Sequence, residues 1–187
     1  MRDEVINCAK ALVDGKVILY PTDTIWGIGC DATNNKAVQK IFKIKKRHEQ
    51  KSLIILLDKA NKLEKYVKKV PEIVYDLIKS VDKPLTIIYP DAKNLAKGVI
   101  AKDKSIAIRI VKDEFCQRII NLLDKPIVSS SANLSGEKPP LVFSKISDEI
   151  INKVDYVVDY NKFLIKEVKP STIIKIKQDG EFTVIRQ

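Results

Sequence analysis

Three segments of the sequence combine an apolar run, an abrupt stop, and side chains that can bind anions or small polar groups. They contain, in chain order, Thr22-Asp23-Thr24, then Ser105 with Arg109, then Ser129-Ser130-Ser131 with Asn133. Hydroxyls, an amide and a guanidinium suit phosphoryl or nucleotidyl transfer, in which positioning and charge neutralisation supply most of the catalysis. The standard phosphate motifs G-x-x-x-x-G-K-[ST] and G-x-G-x-x-G are absent. The pattern therefore favours an anion-binding enzyme without naming its reaction.

A cluster of cations lies between the first and second of these segments. Lys43, Lys45, Lys46 and Arg47 end a predicted helix, and Lys51 follows closely. A helix C-terminus favours cations, but this cluster exceeds what a cap needs. The chain has a net charge of +10, and only five of its 34 basic residues are arginine. Because planar recognition of phosphate or carboxylate favours arginine, those five are the more informative cations.

Composition excludes several classes of protein. A single histidine, His48, removes Ser-His-Asp and Cys-His catalysis unless it is itself the base. Three widely spaced cysteines argue against a disulfide framework or a zinc site and for a reducing cytoplasm. No apolar run approaches the length of a membrane span, and no signal peptide is recognisable. At 187 residues, one domain is the natural expectation.

Hydrophobic periodicity predicts helices alternating with strands, and then a closing hairpin. Gly27 and Gly29 are predicted to let the backbone turn or approach a ligand. This order predicts one α/β domain on a mixed sheet. The predicted helices cover about 3–14, 34–46, 59–69, 72–80, a segment capped by Asp113, and 144–153; the predicted strands cover 17–20, 53–57, 84–89, 105–110, 126–128 and 155–159, with a hairpin of 171–177 and 181–186.

Several motifs together resemble the YrdC family, the threonylcarbamoyl-AMP synthases. They are Tyr20-Pro21-Thr22-Asp23-Thr24-Ile25-Trp26-Gly27-Ile28-Gly29, Lys45-Lys46-Arg47, Pro84-Leu85-Thr86, Ser105-Ile106-Ala107-Ile108-Arg109 and Ser131-Ala132-Asn133-Leu134-Ser135-Gly136. The resemblance implies one YrdC-like domain over residues 1–187, with a twisted, mixed open sheet and flanking helices around a large basic concave pocket. It also implies a nucleotidyltransferase that makes threonylcarbamoyl-AMP and pyrophosphate from L-threonine, bicarbonate and ATP, for the threonylcarbamoyladenosine modification of tRNA.

The resemblance also implies roles for individual residues. Lys45 and Arg47 would be catalytic, with Mg²⁺ accompanying ATP, no permanently bound cofactor and no metal site in the protein. The implied partner is the threonylcarbamoyl transferase machinery of the cytoplasm, with weak tRNA binding left open and no membrane involved. The residues implied for L-threonine are Thr24, Arg109, Ser129 and Ser171, and those implied for ATP are Lys45, Arg47, Lys51, Ser105, Ser131, Asn133 and Arg186.

Some positions depart from the family pattern, and one rival function stays open. Lys46, His48 and Ser52 replace the usual Gly and Pro positions, which puts the role of Lys51 in doubt. The chain resembles the short, single-domain bacterial form. The rival function is a non-catalytic module that binds tRNA or double-stranded RNA with its basic pocket; such binding would weaken steeply with ionic strength.

Overall fold

The computed structural model describes residues 1–47, 53–162 and 170–187. Within them, nine strands form one mixed sheet flanked by helices. The strands are β1 Ile18–Tyr20, β2 Gly27–Gly29, β3 Ile54–Leu57, β4 Leu85–Tyr89, β5 Ile106–Ile110, β6 Ile127–Ser131, β7 Tyr156–Val157, β8 Thr172–Ile176 and β9 Phe182–Arg186; the helices are α1 Arg2–Val13, α2 Asn35–Ile44, α3 Ile73–Ser80, α4 Glu114–Leu123 and α5 Asp148–Ile151, with 3-10 helices at Ala60–Lys65 and Phe143–Lys145.

The sheet order is β7-β1-β2-β6-β3-β5-β4-β8-β9. Three neighbouring pairs are parallel, namely β1 with β7, β3 with β5, and β4 with β8, and the others are antiparallel. The predicted single α/β domain on a mixed sheet is confirmed. None of the helices in the described part of the chain combines the length and apolar character needed to cross a membrane.

Four predicted elements differ from those observed. Residues 60–65 form a 3-10 helix in which only Leu63 is buried, so this segment lacks the apolar stripe that would hold an α-helix on the sheet. The helix predicted at 144–153 is a 3-10 turn followed by the short α5. Gly27–Gly29 is a strand rather than a turn, and the serines predicted to follow a strand lie within β6.

Local capping determines where the helices near the cavity begin and end. The side chain of Asn34 accepts hydrogen bonds from the backbone N–H groups of Lys36 and Ala37, and so starts α2. Lys46 has a φ of 49°, in the left-handed region, which turns the chain immediately after the helix. Asp113 caps α4 in the same way, by accepting from the N–H of Cys116 at 3.0 Å.

Alternation along each strand divides the sheet into two faces. Ile55 and Leu57 join the larger apolar core, which also contains the buried side of α2. Leu56 points to the opposite face and packs in the smaller core with residues of α1 and α4. Ile54, which shares the face of Leu56, instead lines a cavity. Helices α1 and α4 therefore cover one part of this face, and the cavity lies over another part.

The close approach of β1 to β6 across β2 requires glycine at position 29. The fully buried Tyr20 donates a hydrogen bond from its hydroxyl to the carbonyl oxygen of Val128, at 3.2 Å. Its ring therefore passes directly over β2. A Cβ added to Gly29 would lie 2.6 Å from Cε1 of Tyr20 and 2.6 Å from the same carbonyl oxygen. A Cβ on Gly27 would meet nothing closer than 3.5 Å, which is ordinary contact.

We expect Gly29→Ala to lower the free energy of unfolding by about 1–3 kcal/mol, because the backbone carbonyl of Val128 cannot move aside without disturbing the ladder. Gly27→Ala is the matched control and should change stability by much less. Urea denaturation followed by circular dichroism measures both. Equal destabilisation of the two variants would contradict the packing of Tyr20 over Gly29.

Candidate active site

A cavity of about 350 Å³ lies over the part of the sheet face described above. Its floor comes from alternate residues of central strands and its rim from loops. Three of the chain's five arginines line it, and so do hydroxyl and apolar side chains. The lining residues are Thr24, Ile25, Trp26, Gly27, Arg47, Leu53, Ile54, Ile88, Ala107, Arg109, Ser129, Ser130, Ser131, Pro139, Pro170, Ser171, Ile173 and Arg186.

Arg109 is the central cation of the cavity floor. Its side chain is only 4% exposed, and its Nη2 lies 3.0 Å from Oδ1 of Asp23. The same Nη2 approaches Oγ1 of Thr24 at 3.5 Å. Burial raises the pKa of Asp23, and the positive charge of Arg109 opposes that rise. Asp23 therefore serves as the buried counter-charge that holds the guanidinium beside Thr24.

Arg186 and Ser171 form a second polar group in the cavity lining. Arg186 ends β9 and pairs with Ile173 of β8. Its Nη2 donates to the carbonyl oxygen of Ser171 at 2.8 Å, and its Nε donates to the same oxygen at 3.2 Å. The hydroxyl of Ser171 is 2.8 Å from that of Thr86. These bonds tie the penultimate residue of the chain to the cavity.

Lys45 lies beneath the cavity and is 1% exposed. Its ammonium group donates to the carbonyl oxygens of Ser131 and Asn133, the latter at 2.6 Å. Its own carbonyl oxygen accepts from the N–H of Ser135 at 2.9 Å. Burial, reinforced by the charge of Arg47, lowers the pKa of Lys45 to about 8. Lys45 thus joins the end of α2 to the turn that follows β6.

Arg47 and Trp26 contribute part of the lining. Arg47 follows the left-handed Lys46, and its N–H donates to the carbonyl oxygen of Phe42 at 3.0 Å. Partial burial lowers the pKa of Arg47. Trp26 is 4% exposed, and its ring centroid lies 4.8 Å from that of Phe143. Trp26 is therefore a packed wall of the cavity.

The structure brings seven of the predicted site residues together in the cavity lining: Thr24, Arg47, Arg109, Ser129, Ser131, Ser171 and Arg186. Three others are buried but do not line the cavity. They are Lys45, Ser105 and Asn133. The hydroxyl of Ser105 donates to Asp103 at 2.5 Å. The side-chain amide of Asn133 donates to the carbonyl oxygens of Leu134 and Glu137. Lys51 lies outside the described residues.

Two features of the cavity were missed by sequence reasoning. Asp23 was noted within its motif but given no role, although its carboxylate contacts Arg109. The apolar floor was not predicted at all, yet Ala107 lies two residues before Arg109 on β5 and pairs with Ile54 and Ile88 on the neighbouring strands. Alternation along β5 alone would have placed Ala107 beside Arg109.

No cluster of three or more His, Cys, Asp or Glu side chains suited to a metal ion occurs within residues 1–47, 53–162 and 170–187. The three cysteines are buried free thiols. Among the described residues, none that lines the cavity carries a carboxylate. The arrangement can therefore neutralise anions with arginine and fix polar groups with hydroxyls.

Comparison with known sequences places the chain among the Sua5, YciO and YrdC proteins. The Sua5/YciO/YrdC family model, described as telomere recombination, matches residues 10–187. The chain is 41% identical over 175 residues to a Methanocaldococcus jannaschii protein provisionally named a threonylcarbamoyl-AMP synthase, covering 91% of this chain and 79% of that one. It is 36% identical to the threonylcarbamoyl-AMP synthase of Pseudoalteromonas translucida, covering 87% of each. Both names agree with the function predicted from the sequence, and neither favours the RNA-binding alternative.

Solved structures share the fold. Pyrococcus abyssi Sua5 complexed with L-threonine matches with a TM-score of 0.84 and 27% identity, covering 92% of this chain. The chain spans about half of the length of that protein, 50%. Escherichia coli YciO matches with a TM-score of 0.85 over the whole chain and 90% of its own, at 22% identity, and so bears on the fold alone. The predicted family and fold class are confirmed.

The lowered pKa of Lys45 predicts a pH-dependent contribution to stability. Between about 8 and its ordinary value of 10.5, the unfolded lysine carries a proton that the native one lacks, so stability from this residue rises with pH. The free energy of unfolding of the unmodified protein should therefore rise relative to that of Lys45→Met by about 1–3 kcal/mol between pH values of about 7 and about 10. The neutral amine still has two donors for its two carbonyl acceptors.

Urea denaturation at both pH values measures this difference. The buried thiols and tyrosines have raised pKa values, so their contribution to stability falls as the pH rises. Because both proteins contain these groups, comparison with the Met variant cancels that contribution. Lys36→Met, at an exposed position on α2, is the control and should show a constant difference. A constant difference for Lys45→Met as well would mean that Lys45 titrates normally.

Proposed function

The chain belongs to the Sua5/YciO/YrdC family, and we propose that it is an L-threonylcarbamoyladenylate synthase. It would form threonylcarbamoyl-AMP and pyrophosphate from L-threonine, bicarbonate and ATP. One observation carries the proposal: a single cavity combines three arginines with hydroxyl side chains from separate segments of the chain. The names of the curated relatives support the same reaction.

The part of the cavity around Arg109 suits a small amino acid. Arg109 can offer a planar pair of donors to a carboxylate, and Thr24 lies 3.5 Å from one of its nitrogens. Ser129, on the same face, and Ser171 add hydroxyls. We therefore assign these four residues to L-threonine. The Pyrococcus abyssi relative that shares this fold was solved with L-threonine, which supports the assignment.

The remaining arginines of the lining suit a nucleoside triphosphate. In the proposed reaction, the amine of threonine attacks the carbon of bicarbonate and water leaves. An oxygen of the resulting carbamate then attacks the α-phosphorus of ATP. The bond from that phosphorus to the bridging oxygen breaks, and pyrophosphate leaves with growing negative charge. Arg47, Arg186 and Ser131 all line the cavity. Cations fixed before the reaction stabilise such charge without an acid or base.

Lys45 and Asn133 would act in this site through the shape of the turn after β6. The ammonium of Lys45 holds two carbonyl oxygens of that turn, and the amide of Asn133 holds two more. We propose that both residues position Ser131 for the nucleotide, while the charge of Lys45 adds to the positive potential. The role proposed for Lys51 stays a prediction from the sequence, as does that of Ser105.

Magnesium and the downstream partners also belong to the proposal. We propose that Mg²⁺ arrives with the ATP substrate, since this ion is usually bound together with substrate phosphates. The product would pass to the machinery that transfers the threonylcarbamoyl group to tRNA in the cytoplasm. Weak direct binding of tRNA is compatible with the net charge of +10.

Pyrophosphate release should require L-threonine, bicarbonate and Mg²⁺ together with ATP. A coupled assay for pyrophosphate, with each component omitted in turn, measures this requirement. Mass spectrometry should identify threonylcarbamoyl-AMP in the complete mixture. Release of orthophosphate, or turnover that does not depend on threonine, would refute the proposed reaction.

Arg109→Lys should weaken threonine binding by about tenfold to a hundredfold, because lysine keeps the charge but loses the planar pair of donors. ATP binding should survive. Isothermal titration with each substrate separates the two effects. Arg118→Lys is the matched control, since Arg118 is an exposed residue of α4 that pairs with Glu114. If Arg109→Lys weakens the binding of threonine and of ATP equally, Arg109 has only a structural role.

Arg47→Ala should slow pyrophosphate formation by about a hundredfold, which corresponds to on the order of 3 kcal/mol of transition-state stabilisation. Lys36→Ala, at the exposed start of α2, should leave turnover nearly unchanged. Lys40 is the less suitable control, because its ammonium lies 2.5 Å from Asp155. The RNA-binding alternative predicts instead that all these cations add small, similar increments to tRNA affinity, so similar turnover in both variants would contradict the role of Arg47.

A further inference from the structure

Thr22 lies just behind the cavity and makes three hydrogen bonds with its hydroxyl group. Its Oγ1 is 2.8 Å from the carbonyl oxygen of Ile25, 3.1 Å from the backbone nitrogen of Thr24 and 3.0 Å from Oγ1 of Thr24. Thr22 and Thr24 are buried, with exposed fractions of 4% and 6%. Thr24 lines the cavity, whereas Thr22 is absent from the lining.

The directions of these bonds follow from counting protons. A hydroxyl has one proton to donate and two lone pairs. A carbonyl oxygen can only accept, so Thr22 donates its proton to Ile25. Thr22 must then accept from the N–H of Thr24, and it must also accept the hydroxyl proton of Thr24. The proton of Thr24 therefore points away from Arg109, whose Nη2 donates to the same oxygen of Thr24 from 3.5 Å.

We infer that Thr22 is a positioning residue that holds the hydroxyl of Thr24 as a hydrogen-bond acceptor beside the donors of Arg109. The contacts of Ser171 do not impose such a direction. Its hydroxyl oxygen accepts from Nη2 of Arg186 at 3.5 Å and meets the hydroxyl of Thr86 at 2.8 Å, and either of these two hydroxyls can donate to the other. The acceptor at Thr24 is thus fixed before a ligand arrives, whereas the hydroxyl at Ser171 can adapt.

A fixed acceptor next to a fixed cation matches one chemical class of ligand. An α-amino acid places N–H donors and a carboxylate on one carbon, so its nitrogen can donate to Thr24 while its carboxylate binds Arg109. This part of the inference rests on the proposed function, and it names the amine as the group that Thr22 controls indirectly. The hydroxyl oxygen of Thr24, held as an acceptor, also orients the amine that attacks the carbon of bicarbonate in the proposed reaction.

The hydrogen bond between the hydroxyls of Thr22 and Thr24 can be tested without any ligand by a double-mutant cycle. Thr22→Val keeps the shape of the side chain but leaves the hydroxyl of Thr24 without its acceptor. We expect it to lower Tm by about 3–10 °C. In a Thr24→Val background the further loss should be clearly smaller, because that hydroxyl is already gone. Additive losses in Tm would overturn the inference.

Threonine binding provides the second test, measured by isothermal titration with L-threonine. Thr22→Val should weaken binding by about three- to tenfold, and Thr22→Ser, which keeps the hydroxyl, should restore it. In the Thr24→Val background, Thr22→Val should have no further effect on affinity. Thr33→Val is the matched control: it removes a hydroxyl that donates to Asp31 at 2.6 Å, and it should leave threonine affinity unchanged.

The outcomes separate this inference from the proposed function. If the unmodified protein neither binds threonine nor releases pyrophosphate, the proposed function fails, and the cycle in Tm still tests the bond between the hydroxyls of Thr22 and Thr24. If threonine binds but Thr22→Val weakens binding equally in both backgrounds, Thr22 acts by a route other than Thr24 and the inference is wrong. Loss of affinity in Thr22→Ser equal to that in Thr22→Val would overturn it as well.

Discussion

Much of the candidate site depends on one buried ammonium group. Lys45 donates to the carbonyl oxygens of Ser131 and Asn133, and its own carbonyl accepts from Ser135. An unpaired buried charge is costly, so these acceptors must remain in place for the lysine to remain buried. As a result, the end of α2, which leads to Arg47, and the end of β6 are held as one unit. The lysine therefore sets the spacing of two cavity segments that are far apart in the chain.

The second constraint is the buried pair of Arg109 and Asp23. Removing either charge from such a pair leaves the other uncompensated. The pair therefore holds these two side chains in place more than it stabilises the fold. Asp23 follows β1 and Arg109 lies on β5, so the contact at 3.0 Å connects strands that are not neighbours in the sheet. The guanidinium is held before any ligand binds, which lowers the cost of ordering it during binding.

Uneven coverage of the sheet creates the cavity itself. The larger apolar core lies on one face, and α1 with α4 builds a smaller core on the other. On the second face, Leu56 is buried beneath the helices, while Ile54, two residues earlier, lines the cavity. Tyr20 and Gly29 keep the strands beside this region close together. Apolar packing thus holds the cavity floor in place from both sides.

The sequence by itself determined most of the elements and the polar side chains of the site, because helix caps, apolar periodicity and the order of motifs are local properties of the chain. Thr24, Arg109 and Ser129 were predicted from such patterns, and all three line the cavity. Only the tertiary structure decided that Gly27–Gly29 is a strand and that Asp23 pairs with Arg109. It also decided that Lys45 holds backbone carbonyls beneath the cavity. These contacts join residues that are distant in the chain, and their strength comes from burial, which a local pattern of residues does not specify.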